Sequence, residues 1–327
     1  MNNKAPLISV IIPTYNRVNT VGNAINSALA QTYPNVEIIV VDDGSTDETE
    51  ELIKGFPEIQ YIKKPNGGQA SARNMGLKYA QGKYIASLDS DDVWDTTFLE
   101  KTVSKIEKEN LDFVFANWQQ QQPDGNYVDY LTLQYIYLPS YLQKKPNTWV
   151  DLNYTDLRKV YLAGCPSPSS SLLIRATILK KMGWNEEMNI GDDWCMLLDI
   201  MFNNPNMKAA YTTEILWTKH INCQNIYDGR NRIEVLNLLH IKDKSVLIQR
   251  YRHLMTKLEI KVLEKEYVMN LIMASKEILI MNKDIIQSTK YVFEALFYHP
   301  LISCEVLYST LIKKLKLNSP ETLAYKE

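Results

Sequence analysis

The chain has 327 residues, 45% of them apolar and 23% charged, which suffices for one large domain with an appendage or for two modest ones. A formal net charge of -2 argues against nucleic acid as the main partner, since such domains carry a strong basic excess. The four cysteines, Cys165, Cys195, Cys223 and Cys304, include no C-x-x-C pair and suggest neither a zinc site nor a disulfide framework; free thiols in a reducing compartment are expected. The apolar run from Leu7 to Ile12 is too short for a signal peptide and stops at Pro13. No apolar stretch approaches the roughly 20 residues of a membrane-spanning helix. A cytoplasmic protein is expected, with a peripheral position on a membrane surface still open.

The first hundred residues alternate strand and helix signals. Ile8 to Ile12 is a β-branched run that reads as a buried strand. Thr20 to Gln31 places Val21, Ala24, Ile25, Ala28 and Leu29 at helical spacing. Glu37 to Val41 is a second buried strand, and Ser45-Thr-Asp-Glu48 reads as a capping box opening a helix. A strand over Ile59–Lys63, a helix over Gln69–Gln81 and a strand over Tyr84–Leu88 follow. Phe98 to Ile106 marks an amphipathic helix and Asp112 to Ala116 one more strand. The stretch from Gln119 to Pro168 reads as loops, and strands are expected over Ser169–Arg175 and Lys208–Thr212. Beyond about Arg230 the pattern turns helical, with Leu254, Leu258, Val262, Met269, Ile272 and Met273 in period, so two regions are expected, 1–228 and 229–327. The alternation implies an α/β fold with a mainly parallel sheet, whose ligands bind beyond the carboxyl ends of its strands. Three polar clusters fall there: Pro13-Thr-Tyr-Asn16, Asp42-Asp43-Gly44 and Asp89-Ser-Asp-Asp92.

The acidic cluster has two readings. In an extended segment Asp89 and Asp91 would share a side and could hold Mg²⁺ or Mn²⁺ while leaving positions for diphosphate oxygens. Alone, such a cluster is more often a polar loop and helix cap. Gly67-Gly68 reads as a tight turn, since no phosphate-loop pattern surrounds it.

The cluster is not alone. Ser9-Val-Ile-Ile-Pro-Thr-Tyr-Asn-Arg17, Gln31-Thr-Tyr-Pro-Asn-Val-Glu-Ile-Ile-Val-Val-Asp-Asp-Gly-Ser-Thr-Asp47, Asn66-Gly-Gly-Gln-Ala-Ser-Ala-Arg-Asn-Met-Gly76 and Gly82-Lys-Tyr-Ile-Ala-Ser-Leu-Asp-Ser-Asp-Asp-Val-Trp94 follow one another in order. Together they resemble glycosyltransferase family 2, inverting enzymes of the GT-A fold. The resemblance is dense to Trp94 and thinner over Ser169–Trp194. It implies a nucleotide-sugar donor, with UDP favoured, and a divalent metal, Mn²⁺ or Mg²⁺. Pro13, Thr14, Tyr15 and Asn16 would line the base pocket, with the Tyr15 ring stacked on the base. Asp42 would accept from a uracil N–H, and Arg73 would lie by the nucleotide, or else pair with Asp42 or Asp43. Asp89 and Ser90 would contact the donor, and Asp91 would ligate the metal. Asp192-Asp193 resembles the family's Glu-Asp pair, with Asp192 where Glu is usual; the second acid, Asp193, would be the catalytic base, and either acid could cap the helix Trp194–Phe202. Lys219 and His220 are candidates for a diphosphate or metal contact, a structural histidine being the commoner case.

The expected acceptor is a glycan or lipid-linked glycan, in cell-surface polysaccharide assembly of the bacterial capsule or lipopolysaccharide type. Val306, Leu307, Thr310, Leu311 and Leu315, with Lys313, Lys314 and Lys316, form an amphipathic pattern suited to packing on protein or to an anionic membrane. Two rival functions share the sheet: a nucleotidyltransferase, disfavoured by the single cation in Pro13–Arg17, and a silent sugar-nucleotide or glycan-binding subunit, disfavoured by intact Asp89, Asp91 and Asp193.

Overall fold

The computed structural model describes residues 5–122, 124–130, 148–220 and 230–317, the last eight as backbone only. The chain forms two compact units, Met1–Asp228 and Gly229–Glu327. The first is a sheet flanked by helices. Its strands are β1 (Ile8–Thr14), β2 (Val36–Asp42), β3 (Gln60–Lys63), β4 (Tyr84–Ser87), β5 (Asp92–Trp94), β6 (Phe113–Gln121), β7 (Tyr127–Asp129), β8 (Trp149–Leu152), β9 (Leu172–Arg175) and β10 (Ala209–His220). The spatial order is β3-β2-β1-β4-β9-β6-β10-β5, with β7 on β6 and β8 on β10. β3, β2, β1 and β4 run parallel, as do β6 and β10; β9 is antiparallel to both its neighbours, β4 and β6.

β1 lies buried along its whole length because its Ile- and Val-rich residues have strands on both sides and helices over the sheet. It continues through Pro13, two residues past the expected end. β4 stops opposite Ile11, so Pro13 withholds no amide from that side. Thr14 stands opposite Asp42, which starts the first two loops side by side at the carboxyl edge. The helices here are α1 (Val21–Leu29), α2 (Thr49–Ile53), α3 (Gln69–Tyr79), α4 (Phe98–Glu109), α5 (Tyr154–Ala163), α6 (Ala176–Met182) and α7 (Asp192–Asn203). α3 lies close on the sheet at Gly76, where an added Cβ would sit 2.5 Å from Ile11 Cγ2 and 3.3 Å from Val41 Cγ2.

Four sequence expectations change. Ser45–Glu48 forms no capping box: the Ser45 hydroxyl accepts from Asn16 N, and Asp47 accepts the Thr49 amide instead. The span Gln119–Pro168 is not all loop, since it contains the end of β6, β7, β8 and α5; residues 123 and 131–147 lie outside those described. Helix α5 was signalled by Asn153 and Asp156, which cap it reciprocally. Ser169–Ser171 is a 3-10 turn, and the strand begins only at Leu172. Asp89–Asp92 is also a turn, closed by Asp92 N–H donating to Asp89 O at 3.0 Å, so strand alternation does not set its side chains.

The second unit is helical: α8 (Arg232–Val235) runs through a π-helical stretch, Leu236–Asp243, into α9 (Lys244–Tyr251), followed by α10 (Lys257–Met281), α11 (Ile285–Tyr298) and α12 (Pro300–Leu317). The apolar residues that marked the helical period of α10 lie mostly outside its core. Leu258, Val262, Met269 and Met273 are exposed, and Leu263, Tyr267, Leu271, Ala274 and Ile278 are buried. Of the expected amphipathic pattern in α12, Val306 is buried and Leu307 exposed; the residues from Thr310 onward have no described side chains. Among the described residues no helix is long and apolar enough to cross a membrane.

The close approach at Gly76 gives a stability test. Gly76→Val should lose about 1–3 kcal/mol, the usual range for overpacking, read as a lower urea midpoint at unchanged slope.

Candidate active site

The first two loops are tied together before any ligand is considered. Asn16 takes a left-handed backbone, φ 52°, which asparagine tolerates better than most residues. Its amide donates to Ser45 Oγ at 2.9 Å, and its side-chain oxygen accepts from Thr46 N at 2.8 Å. This leaves Tyr15 at the rim, 44% exposed, with its ring available for stacking. Thr14 is buried, and its hydroxyl has no partner among the described residues.

Asp42 has a different position from the one expected. It is wholly buried; Ser45 N donates to its Oδ1 at 2.7 Å and the Tyr61 hydroxyl to its Oδ2 at 2.8 Å. A carboxylate used this way shapes the second loop and presents no surface to a base. Asp43 accepts from Lys64 Nζ and from the Gly67 and Gly68 amides at 2.5, 3.0 and 2.7 Å. The two glycines therefore give their amides to Asp43 and not to a phosphate, in keeping with a tight turn. Gly68 has φ 90°, and a Cβ on Gly67 would meet Lys64 Nζ at 2.9 Å.

The acidic turn is held from below by the serine turn. Asp89 N donates to Ser170 Oγ at 3.1 Å, and that hydroxyl donates to Asp92 Oδ2 at 2.6 Å. The Trp94 indole donates to Ser170 O at 2.7 Å. Asp92 is buried structure, its carboxyl pushed well up by burial and by the charges of Asp91 and Asp89. Ser90 is buried in the turn. Asp91 is half-buried, and burial, then the Asp89 charge, raises its carboxyl above the ordinary range. Arg17 Nε lies 3.7 Å from Asp91 Oδ2, and Lys219 adds a second positive charge nearby.

Arg73 links the acidic groups. Its guanidinium is 1% exposed, 2.6 Å from Asp89 Oδ1, 2.5 Å from Asp192 Oδ2 and 3.6 Å from Asp193 Oδ1. Arg73 therefore does not pair with Asp42 or Asp43, the second of its two expected places. The reason is geometric: α3 directs it under the sheet edge, where three carboxylates converge. Burial would favour its neutral form, but the charges of Asp192, Asp89 and Asp193 outweigh that and hold it protonated. Asp192 also accepts from Gln69 Nε2 at 2.5 Å; burial pushes its carboxyl up to about 7, with Arg73 opposing.

Asp193 opens the first turn of α7. Ser169 N donates to its Oδ2 at 2.9 Å, while the Ser169 hydroxyl and the Trp184 indole, at 3.2 Å, donate to its Oδ1. Oδ2 therefore carries one donor where a carboxylate oxygen has room for two. The helix N-terminus favours a negative charge at this position. Asp192 and Asp193 both stand in the first turn, and Gly191 occupies the cap position.

β10 brings the last candidates. Lys219 pairs with Asp92 across β10 and β5, so its cation lies beside the acidic turn. His220 lies 2.7 Å from Gln121 Oε1 through Nδ1, and burial lowers its pKa, so it stays neutral at pH 7. Of the two candidates, Lys219 carries the positive charge beside the acidic turn and His220 is a neutral imidazole. Sequence reasoning did not single out Arg17, Gln69, Ser169, Ser170 or Trp184. Three consecutive serines after Pro166 and Pro168 were the available signal for the serine turn.

The residues fit a divalent cation of the open kind. Among the described residues no three acidic, histidine or cysteine side chains form a closed cage. Mg²⁺ and its like use one or two carboxylates and take the remaining oxygens from phosphate and water. Asp91 and Asp89 supply that number, and the Asp89 charge, which after burial helps to raise the Asp91 carboxyl, is one that a cation would offset.

A mainly parallel sheet flanked by helices, with an acidic turn tied to a second acidic pair at its edge, is a GT-A-like arrangement. Residues 9–161 match the sequence model of glycosyl transferase family 2. An uncharacterized glycosyltransferase of Rickettsia typhi is 31% identical over 242 residues, 73% of this chain and 70% of that protein. The chain belongs to glycosyltransferase family 2. The Escherichia coli UDP-Glc:alpha-D-GlcNAc-diphosphoundecaprenol beta-1,3-glucosyltransferase WfaP is 44% identical over 115 residues, 34% of this chain and 46% of its own. Several relatives are longer proteins: the matching segments make up 30% and 18% of those from Rickettsia felis and Rickettsia bellii. The crystal structure of S. aureus TarS 1-349 in complex with UDP-GlcNAc superposes with a TM-score of 0.62 at 18% identity, over 92% of this chain and 83% of that one. At that identity the likeness is one of fold.

Arg73→Met would leave Asp89, Asp192 and Asp193 facing one another without their cation. The expected loss is about 3–5 kcal/mol of stability, read by urea unfolding at pH 7.5. Arg73→Lys should recover only part of it, since an ammonium cannot span three carboxylates as a guanidinium does.

Proposed function

We propose that this chain moves a sugar, with inversion, from a UDP-linked donor to a hydroxyl of a glycan or lipid-linked glycan acceptor, working at the inner face of the cell membrane in cell-surface polysaccharide assembly. The observation that carries it is that the loop of exposed Tyr15 meets the acidic turn through Arg17 and Asp91, while Arg73 ties that turn to the partly open Asp193. The UDP preference and the lipid-linked acceptor are supported by the names of WfaP and of the TarS complex.

Tyr15 would stack on the base, and Asn16 would hold the loop that carries it. Asp91, with Asp89, would hold Mn²⁺ or Mg²⁺, which when bound offsets the charge gathering on a departing diphosphate. Lys219 and Arg17 would add positive charge on the same side. Asp193 Oδ2 would take the proton from the acceptor hydroxyl as its oxygen bonds to the anomeric carbon and the bond from that carbon to the UDP oxygen breaks. Ser169 and Trp184 would fix the Asp193 rotamer through Oδ1.

The test is release of UDP from UDP-sugars by the purified full chain with Mn²⁺ or Mg²⁺. Failure to bind or hydrolyse any UDP-sugar would sink the reading, and release of inorganic diphosphate would make the protein a nucleotidyltransferase. Asp193→Asn should reduce transfer by about 10²–10⁴-fold, the range of general-base catalysis, with donor affinity nearly unchanged. Unchanged turnover would remove Asp193 from the base role. Asp91→Asn should instead weaken metal affinity, so that more Mn²⁺ is needed for half-maximal UDP release.

A further inference from the structure

We propose that Ser170 is a positioning residue for the acidic turn, and that the peptide unit joining it to Ser169 sets the spacing between that turn and Asp193. The inference deepens the transfer reading above and rests on it. β4 ends at Ser87 and β5 begins at Asp92, and these strands are not neighbours in the sheet. Among the described residues, no strand pairing therefore reaches Asp89, Ser90 or Asp91. The turn's own bond, Asp92 N–H to Asp89 O at 3.0 Å, fixes its size but not its tilt against the sheet. One hydroxyl from outside grips both of its ends: Ser170 Oγ accepts from Asp89 N at 3.1 Å and donates to Asp92 Oδ2 at 2.6 Å. A serine hydroxyl can do both at once, with one proton to give and two lone pairs to receive. Alanine can do neither.

Ser170 is itself firmly held. It is wholly buried, and the Trp94 indole donates to its carbonyl at 2.7 Å. Its turn is closed by the Ser171 amide and hydroxyl, which donate to Pro168 O at 2.8 and 2.7 Å. Immediately afterwards β9 enters the sheet between β4 and β6. One residue earlier, Ser169 holds Asp193, its amide on Oδ2 at 2.9 Å and its hydroxyl on Oδ1. The proposed base and the proposed metal turn are thus gripped by consecutive residues, whose Cα atoms stand about 3.8 Å apart across a trans peptide. A displacement at one carbon, with the attacking oxygen on one side and the leaving oxygen on the other, depends on that spacing. A misplacement of about 1 Å can cost about 100-fold in rate. Arg73 also reaches both clusters, but it holds the Asp89 side chain; Ser170 holds the backbone from which Asp89, Ser90 and Asp91 all project.

The three consecutive serines allow a controlled experiment on the full chain. Mn²⁺ binding in the presence of UDP is read from loss of the free-ion EPR signal, and kcat for UDP release from a UDP-sugar is measured at saturating Mn²⁺. Ser170→Ala should weaken Mn²⁺ binding about tenfold, the size of effect that outer partners of a metal site have. Ser169→Ala should bind Mn²⁺ as wild type does while kcat falls several-fold. Ser171→Ala is the control for mere loosening of the turn: its hydroxyl is equally buried but touches only Pro168 O, so Mn²⁺ binding should match wild type even where the melting temperature drops. If Ser170→Ala does not fold, Ser170→Cys fills the site with a weaker donor and should weaken Mn²⁺ binding in the same direction. Unchanged Mn²⁺ binding in the folded Ser170 variant would overturn the inference, as would a loss in Ser171→Ala equal to that in Ser170→Ala. Both results leave the transfer reading standing. Wild-type protein that binds no Mn²⁺ with UDP would instead remove the metal site from that reading, and this inference with it.

Discussion

One buried cation organises the catalytic half of this protein. Arg73 reaches from α3 to Asp89 in the acidic turn and to the Asp192–Asp193 pair at the head of α7. These segments are about a hundred residues apart in sequence, and no backbone ladder joins them directly. Buried Asp192 and the partly exposed Asp89 and Asp193 repel one another, and the Arg73 charge among them offsets that repulsion. The guanidinium suits the task because its planar fork addresses several acceptors in fixed directions. Its Nε alone finds no partner among the described residues.

The serine turn does the same work with neutral groups. Ser169 holds Asp193 through its amide and hydroxyl, while Ser170 receives the Asp89 amide and donates to Asp92. Adjacent residues thus grip the two acidic clusters separately. Arg73 sets how close the clusters come, and the serine turn sets how each carboxylate is rotated. The directionality of hydrogen bonds supplies what a charge contact alone lacks.

Much of the fold was legible because its elements are locally decided. The Ile- and Val-rich runs of β1 and β2 and the apolar spacing of α1 and α4 agree with the structure to within a few residues. Motif order singles out the acidic segment, Tyr15 and the second acidic pair as site candidates, and the structure ties the two acidic groups together through Arg73. What was not legible depends on partners distant in sequence. Nothing in the sequence near Asp42 tells that Tyr61 will bury it, or that Arg73 will pass over Asp42 and Asp43 to reach Asp192. For Asp89–Asp92 the sequence leaves an extended segment and a loop both open, and the closing hydrogen bond that decides for a turn is a three-dimensional fact. In α10 the hydrophobic period was real but ambiguous: apolar residues occupy both faces, and only packing shows that Leu263, Tyr267 and Leu271 form the buried one.

The pairing order of the sheet carries a consequence for how the protein is made. Among the described residues β5, the short strand that leaves the acidic turn, pairs only with the far end of β10. β4 gains its second neighbour only when β9 arrives. A chain emerging from the ribosome therefore carries the acidic segment for more than a hundred residues before the strand that braces it exists. The β1–β4 pairings need only residues already synthesised, but the site must wait for its last strand. Assembly of the sheet and acquisition of a competent site are separate events in the life of this chain, and the second depends on nearly the whole of the first unit having been synthesised.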